Sequence, residues 1–192
     1  MIEYSIVGAA PVPCVTLAEA KSHLRVEITD DDLLISALVE AAQSHVEEVL
    51  CWQSLTPRVY AASFDAWSGT EIYLPMPPVQ AVATVSMVDD EGGITTPIDP
   101  DFVALDKGLG RLRMYGGAVD GGGAAGRLHV EYTAGYLAPP GWGRAAVLLL
   151  VGHLYENREG VIIGAGVSAI EAPLGVVDLA ASHKAWRPGG AI

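Results

Sequence analysis

The feature that most constrains this chain is a pair of helix-start signals in its first third. Thr16 and Glu19 form an S/T-x-x-E capping box, which predicts a short helix from Leu17. A second signal follows at 29–32, where a threonine and three aspartates offer an N-cap and negative charge for the positive end of a helix dipole. We therefore expect a second, longer helix that runs to about Cys51.

The second helix has an unusual distribution of polar residues. They form one narrow stripe: Ser36, Glu40, Gln43 and Glu47. Almost every other position is apolar or small, whereas an ordinary surface helix exposes a whole face to water. The pattern predicts that only this stripe is solvent-exposed and that several other sides are covered, in part by other subunits.

Size and charge narrow the possible functions. A chain of 192 residues is most simply one domain. Its net charge of -12 disfavours a nucleic-acid-binding surface, which needs Lys and Arg, but it is compatible with a protein that nucleic acid passes without binding. No apolar run is long enough to span a bilayer, and the N-terminus lacks a signal-peptide pattern. Cys14 and Cys51 are expected to be reduced thiols.

The residue pattern changes to a period of two after a break at 51–57. The segments that read as strands are 58–64, 71–74, 79–88, 102–105, 111–114 and 127–133. Residues 79–88 alternate apolar and polar side chains as a half-buried strand does, and 116–126 form a glycine-rich loop. This block predicts a small, mostly antiparallel β-domain at about 58–134.

A helical period returns in the last third of the chain. Residues 144–157 are apolar nearly all round, so this helix should be central, and Gly152 within it predicts a close approach of another helix. Residues 160–173 are glycine-rich and predict a mobile arm, and 176–186 predict one short helix. The predicted fold is α+β: one subunit over 1–192, with a helical core at about 16–52 and 140–159, the inserted β-domain, and a C-terminal arm at about 160–187.

Candidate catalytic chemistry is weak. The spelling G-x-G-x-x-G at 121–126 lacks the strand before it and the helix after it that a dinucleotide site needs. The five histidines are scattered without metal-ligand spacing, and no nucleophile motif is present. We expect no catalytic residue, cofactor or metal, and no enzyme activity. A small-ligand protein or enzyme that uses the β-domain as a pocket remains the alternative.

Several motifs taken in order do resemble a known family. They are Leu17-Ala18-Glu19-Ala20-Lys21-x-His23-Leu24-Arg25 followed by Asp30-Asp31-Asp32 and Leu34-Ile35, then Ile72-x-Leu74-Pro75-x-Pro77-Pro78-Val79, Val130-x-Tyr132-x-x-Gly135-Tyr136, His153-x-Tyr155-Glu156-Asn157-Arg158-Glu159 and Pro173-Leu174-Gly175-Val176. Their order and spacing are similar to the head–tail connector (adaptor) proteins of long-tailed phages and of phage-derived gene transfer agents.

The resemblance implies a structural protein, made in the bacterial cytoplasm and assembled into the neck of a phage-like particle. It implies a ring of twelve copies that docks under the portal protein, meets a tail-side stopper or tail terminator protein, and lets DNA pass without specific binding or contact with a membrane. A transient assembly or scaffolding subunit is the alternative within this class.

Two sets of contact residues are predicted. The portal-engaging arm would use Val161, Ile162, Ile163, Val167, Ile170, Leu174 and Val176. The subunit interface would use Leu34, Leu38, Ala41, Val49, Leu148, Leu149 and Tyr155. We also expect acidic residues to line or flank the DNA channel, with the Glu40–Glu47 stripe and the 89–91 turn as candidates. Solubility of the free subunit is the competing explanation for the acidic charge.

Overall fold

A computed structural model of the chain describes residues 2–8, 12–64, 71–89, 94–98, 103–115, 126–157 and 173–185. The elements are β1 (Ile2–Val7), α1 (Leu17–Leu24), α2 (Asp32–His45), a π-helical turn (Val46–Cys51), β2 (Arg58–Phe64), β3 (Glu71–Tyr73), β4 (Val79–Asp89), β5 (Ile94–Pro97), β6 (Val103–Asp106), β7 (Arg111–Met114), β8 (Gly126–Ala134), α3 (Gly141–Glu156) and α4 (Leu174–Ala181). The predicted α+β class, with helices and antiparallel sheets, is confirmed.

The capping box at the start of α1 forms as predicted. Thr16 Oγ1 accepts a hydrogen bond from the Glu19 amide at 3.3 Å, and Glu19 Oε2 accepts one from the Thr16 amide at 2.9 Å. The helix ends at Leu24 because Arg25 adopts a left-handed conformation with φ 58°. The reversal turns the chain toward α2.

The long second helix is continuous to Cys51, but its last part is π-helical rather than α-helical. The wider turn spans Val46–Cys51, and Trp52 ends it with φ 55°. Asp31 occupies the N-cap without a side-chain capping bond, so the predicted capping role of the aspartate run is not realised through that carboxylate. A π-helical turn is rare and commonly marks a functional or strained position.

The strands form two antiparallel sheets. The larger sheet has the order β1-β2-β8-β4-β5, and the smaller has the order β3-β7-β6. Two of these strands were not identified from the sequence: β1 and the short β5. Because β1 pairs along β2 from Ile2↔Phe64 to Val7↔Val59, the larger sheet draws on both the N-terminus and the predicted β-domain.

The clean alternation predicted for β4 is wrong. Its pairing with β8 shifts register between Val79 and Ala81 and again between Val82 and Thr84. Each such bulge places two residues opposite one and so changes which face the next side chain occupies. Ala81 and Ala83 are consequently exposed although the pattern predicted them to be buried.

The buried apolar residues form two separate clusters. The β-cluster lies between and beside the sheets and includes Tyr60, Leu74, Met76, Leu112, Leu128 and Tyr132. The helical cluster lies among α1, α2, α3 and α4 and includes Val15, Ile35, Val46, Leu55, Val147 and Val176. The molecule therefore has two hydrophobic cores joined by the connection from Cys51 to Arg58.

The glycine expected to mark a close helix contact in α3 is the wrong one. A Cβ at Gly152 would meet the His23 ring at 3.5 Å, an ordinary van der Waals contact. A Cβ at Gly143 would lie 2.6 Å from Cδ2 of Leu55, which is fully buried. The close approach is therefore at the start of α3, against the connection between the two cores.

Candidate functional site

Two motifs that lie far apart in the sequence meet at the junction of the two cores. The proline-rich segment after β3 presents its carbonyl groups to the end of β8: Pro75 O accepts from the Tyr132 hydroxyl at 2.9 Å, and Pro78 O accepts from the Gly135 amide at 2.8 Å. Pro77 O accepts from the Ser54 amide at 3.3 Å. Prolines lack an amide donor but keep their carbonyl acceptors, so this segment can accept hydrogen bonds from its neighbours.

Gly135 allows this junction to close. Its φ is +112°, and a Cβ there would lie 2.0 Å from the carbonyl oxygen of Thr56. Its own carbonyl accepts a hydrogen bond from Gln80 Nε2 at 2.8 Å. Only a residue without a side chain fits both the backbone angle and the space.

The first motif contacts α3 near both of its ends. Glu19 of α1 pairs with Arg144 of α3, and the Tyr155 hydroxyl donates to Asp31 at the start of α2. Lys21 Nζ lies 2.6 Å from Asp32 Oδ1 and ties α1 to the same end of α2. The aspartate run therefore secures α2 to its neighbours.

The prediction that the polar stripe of α2 is solvent-exposed is wrong for the second half of the stripe. Ser36 is half-buried and Glu40 is exposed, but Gln43 is 3% exposed and Glu47 is fully buried. The two buried side chains point into the molecule, toward the connection that leads to β2. Glu47 therefore cannot line a channel, and Glu40 is the only acid of that stripe at the surface.

Glu47 is held by two hydrogen-bond donors and by one ion pair. Its Oε1 accepts from the Leu55 amide at 2.7 Å and from Gln43 Nε2 at 3.0 Å. Its Oε2 lies 2.7 Å from Arg58 Nη2, in an ion pair whose side chains are 0% and 5% exposed. Burial raises the pKa of Glu47, and the positive charge of Arg58 opposes that rise.

Gln43 extends this network to two more segments. Its Nε2 also donates to Thr56 Oγ1 at 3.2 Å, and its Oε1 accepts from the Cys14 amide at 2.8 Å. Ser54 Oγ donates to the Thr56 carbonyl at 2.8 Å and accepts from the Tyr60 hydroxyl. Sequence reasoning missed this site because polar residues on a helix are normally solvated.

Part of the predicted arm is docked on the subunit itself. Val176 and Ala180 of α4 are fully buried in the helical cluster. The turn after α4 is held by a hydrogen bond from the Ala185 amide to the Cys51 carbonyl at 2.9 Å and by stacking of His183 on Trp142 at 4.4 Å. The helix is thus part of the core, so this portion of the predicted C-terminal arm at 160–187 is not free.

The predicted portal-binding residues fall into two groups. Five lie outside the residues that the structure describes: Val161, Ile162, Ile163, Val167 and Ile170. Leu174 is 82% exposed at the start of α4, whereas Val176 is buried and out of reach of a partner while α4 is docked. Leu174 is therefore the one member of the set that the structure displays on the surface.

The predicted subunit-interface residues also divide. The exposed ones are Leu34, Ala41, Val49 and Leu149. The half-buried ones, which pack against the helical cluster, are Leu38, Leu148 and Tyr155. The exposed set lies mainly on the outer side of α2 and its π-helical turn.

The outer face of α2 carries little charge. Its exposed residues are Leu33, Leu34, Ala37, Glu40, Ala41 and Ser44, of which one is charged. Leu33 is 88% exposed, and Val49 in the π-helical turn is 61% exposed. A helix face that exposes mostly apolar residues to water is unusual in a monomer and is typical of a contact surface.

The described part of the chain gives little support for a metal site or a reactive cysteine. It contains no group of three or more His, Cys, Asp or Glu side chains placed to hold a metal ion. Burial raises the pKa of both Cys14 and Cys51 to about 12, which suppresses their thiolate forms. An apolar cavity of about 400 Å³ lies between the sheets, lined by β4, β6 and β7 residues. None of the helices described is long and apolar enough to cross a membrane.

Comparison with known proteins agrees with the structure. The model of the phage gp6-like head–tail connector protein family matches residues 14–86. A chain from the virion of a native gene transfer agent particle is 26% identical, with 96% of each chain covered and a TM-score of 0.71. Chains from the neck of an empty gene transfer agent particle, computed with C6 symmetry, and of a native one, computed with C12 symmetry, have the same identity and coverage, with TM-scores of 0.75 and 0.74. No curated protein sequence matches the chain significantly.

The fold and these matches together define a structural subunit of a particle neck. The match of the phage gp6-like head–tail connector family model over 14–86 and the similarity to the gene transfer agent chains confirm the resemblance stated from the sequence motifs. The predicted structural connector role, in the neck of a phage-like particle, is confirmed by the same findings. An oligomeric ring with a head side and a tail side agrees with the cyclic symmetry of those necks.

Proposed function

We propose that this protein forms a closed ring of identical copies that joins a capsid portal to a tail, with the outer face of α2 as the main subunit contact. The observation that carries the proposal is the weakly charged, exposed surface at Leu33, Leu34 and Ala41, continued by Val49. Closed rings use a head-to-tail contact between different patches of neighbouring subunits. Covering an apolar helix face supplies the free energy for such a contact.

A charge placed on this face tests the subunit contact. Leu34→Glu should reduce the assembled fraction at least tenfold while the subunit stays folded, because Leu34 is already 37% exposed. Leu109→Glu is the matched control, since Leu109 is 60% exposed in the turn between β6 and β7. Light scattering coupled to size-exclusion chromatography, together with averages of purified particle necks, gives the readout.

Normal assembly of Leu34→Glu, or equal loss in both variants, would reject α2 as the contact. Leu38→Glu would be a poorer probe, because Leu38 packs in the helical cluster and its replacement confuses folding with assembly.

The number of copies and the partners extend the proposal. Twelve copies are supported by the similarity to a chain from a neck computed with C12 symmetry. The arm at 160–173, with Leu174 exposed at its end, would engage the portal protein, and a stopper or tail terminator protein would bind on the tail side. The role is structural throughout, without a catalytic step.

The test of the arm must leave α4 in place, because α4 contributes to the helical cluster. Replacing residues 161–170 by a Gly/Ser sequence of equal length should abolish co-purification with the portal protein and leave the melting temperature unchanged. Leu174→Ser should weaken the same binding. Full portal binding by the replaced chain would reject this part of the proposal.

DNA would pass through the ring beside acidic side chains. The acidic net charge of -12 supports this, because like charge disfavours contacts with phosphate. Glu40 and Glu48 are exposed on the side of the helix that is proposed as the subunit contact, so they would reach the channel only at the edge of that contact, whereas Glu47 is excluded by its burial. The surface potential of an assembled ring decides the point, and a neutral or positive lumen would leave solubility as the reason for the charge.

A further inference from the structure

The two hydrophobic cores do not merge, and polar side chains occupy the place where they meet. The described residues include six buried polar or charged side chains, and five of them lie at this junction: Gln43, Glu47, Ser54, Thr56 and Arg58. An apolar junction would have been the simpler way to join two cores. The polar junction therefore needs a physical explanation.

Polar contacts can fix the orientation of the two cores, whereas apolar contact cannot. Apolar burial is nearly independent of orientation, so two cores in apolar contact can slide or rotate at little cost. A hydrogen bond requires a defined distance and direction, and a close ion pair between buried charges requires a defined distance. Glu47 comes from the π-helical turn, and Arg58 is the first residue of β2, so their 2.7 Å contact ties a helix of one core to a strand of the other.

The remaining bonds close the junction from other sides. Gln43 ties α2 to the segment before α1 through the Cys14 amide and to the inter-core connection through Thr56. Glu47 itself holds the Leu55 amide. Three chain segments thus converge on one carboxylate and one carboxamide, and a rotation of one core against the other would change the distance from Glu47 to Arg58.

Stability alone does not explain a buried ion pair. The desolvation of two charges offsets most of their attraction, so a well-packed apolar pair in the same place is often equally stable. The geometry points to Gln43, Glu47 and Arg58 as positioning residues: together they lock the orientation of the helical part relative to the sheets, and this orientation is required for ring closure. The inference rests on the proposed ring, since a closed ring tolerates little error in the shape of each subunit.

The test removes the lock without leaving a buried charge. In Glu47→Gln with Arg58→Met, the amide oxygen still accepts from Leu55, and no unpaired charge remains. We expect the melting temperature to stay within about 5 °C of the wild-type value, a shift of one to two kcal/mol for a chain of this size. We expect the assembled fraction to fall at least tenfold.

Orientation is measured directly by a distance between spin labels. Labels at Ser44→Cys on α2 and Ala81→Cys on β4 occupy exposed positions in the two parts. The unmodified junction should give one narrow distance distribution, and the double variant a distribution at least twice as wide. Glu71→Gln with Arg113→Met is the matched control, because it makes the same changes in a part-exposed pair of the smaller sheet; it should change neither readout.

The outcomes separate the inference from the proposed function. An equally narrow distribution in the folded double variant overturns the lock, and a wide distribution with normal assembly overturns its role in ring closure. If the wild-type protein forms no ring and enters no particle, the proposed function fails, while the distance measurement still decides whether the lock exists. Should the double variant not fold, Gln43→Met carries the test, since it removes three bonds and leaves the ion pair; unchanged width and assembly there overturn the inference.

Discussion

Gly135 offers the sharpest test of the junction, through its replacement by alanine. The φ of +112° is unfavourable for any residue with a side chain, at a cost of about 1–3 kcal/mol. The new Cβ would lie 2.0 Å from the Thr56 carbonyl oxygen, which belongs to backbone and cannot rotate away. Relief of that clash requires a backbone shift at the expense of the bonds from Gly135 to Pro78 and Gln80, each worth about 1 kcal/mol.

These contributions sum to a destabilisation of about 3–5 kcal/mol for Gly135→Ala, a large part of the 5–15 kcal/mol typical of a whole domain. The melting temperature should fall by about 6–20 °C, at 2–4 °C per kcal/mol for a chain of this length. The assay is urea unfolding followed by tryptophan fluorescence, since Trp52 is buried beside the junction.

Gly152→Ala is the matched control with the opposite expected sign. The methyl group fits at 3.5 Å from His23, and alanine favours a helix interior over glycine by about 1 kcal/mol. A Gly135→Ala variant within about 1 kcal/mol of wild type would refute the reasoning, because it would mean that the approach to Thr56 is not rigid.

Three further predictions concern α4, the thiols and the capping box. Val176→Ala should cost about 1–2 kcal/mol because Val176 is fully buried, whereas Leu174→Ala at an 82% exposed position should stay within about 0.5 kcal/mol by thermal melting; equal effects would contradict the docking of α4. Cys14 and Cys51 should resist Ellman's reagent at pH 8 in the folded protein and react at once in denaturant, because burial raises the pKa of each to about 12; rapid reaction in the native state would contradict this. The pKa of Glu19 is lowered by hydrogen bonds from the N-cap threonine and by the arginine of α3. The ionised Glu19 therefore stabilises the fold above the ordinary carboxyl pKa, and this stabilisation is lost as the pH falls through the lowered pKa. Glu19→Gln should weaken the acid dependence of unfolding, and an unchanged pH profile would contradict this prediction.

Local signals in the sequence were sufficient for most of the secondary structure. The capping box at Thr16 depends on residues three positions apart, and β2 and β7 have the predicted bounds because their alternation is uninterrupted. The α+β class and the connector resemblance followed from the order of such segments. These features depend on residues that are near one another in the chain.

Errors occurred where a distant residue decided the outcome. Ala81 and Ala83 of β4 changed face because bulges opposite β8 interrupt the period, and the bulges depend on pairing with a strand more than forty residues away. Gly152 was misjudged because the size of the space beside a glycine depends on which side chain the fold brings there.

What the sequence by itself determined is most of the helices and strands and the family that their order resembles. What only the tertiary structure decided is which side of each element is inside. Glu47 looks like a surface residue in a helical wheel, and it is buried because Arg58, Gln43 and the Leu55 amide meet it. The physical reason is that a charge enters a protein interior only when partners from elsewhere in the chain replace its water, and no local pattern reports those partners.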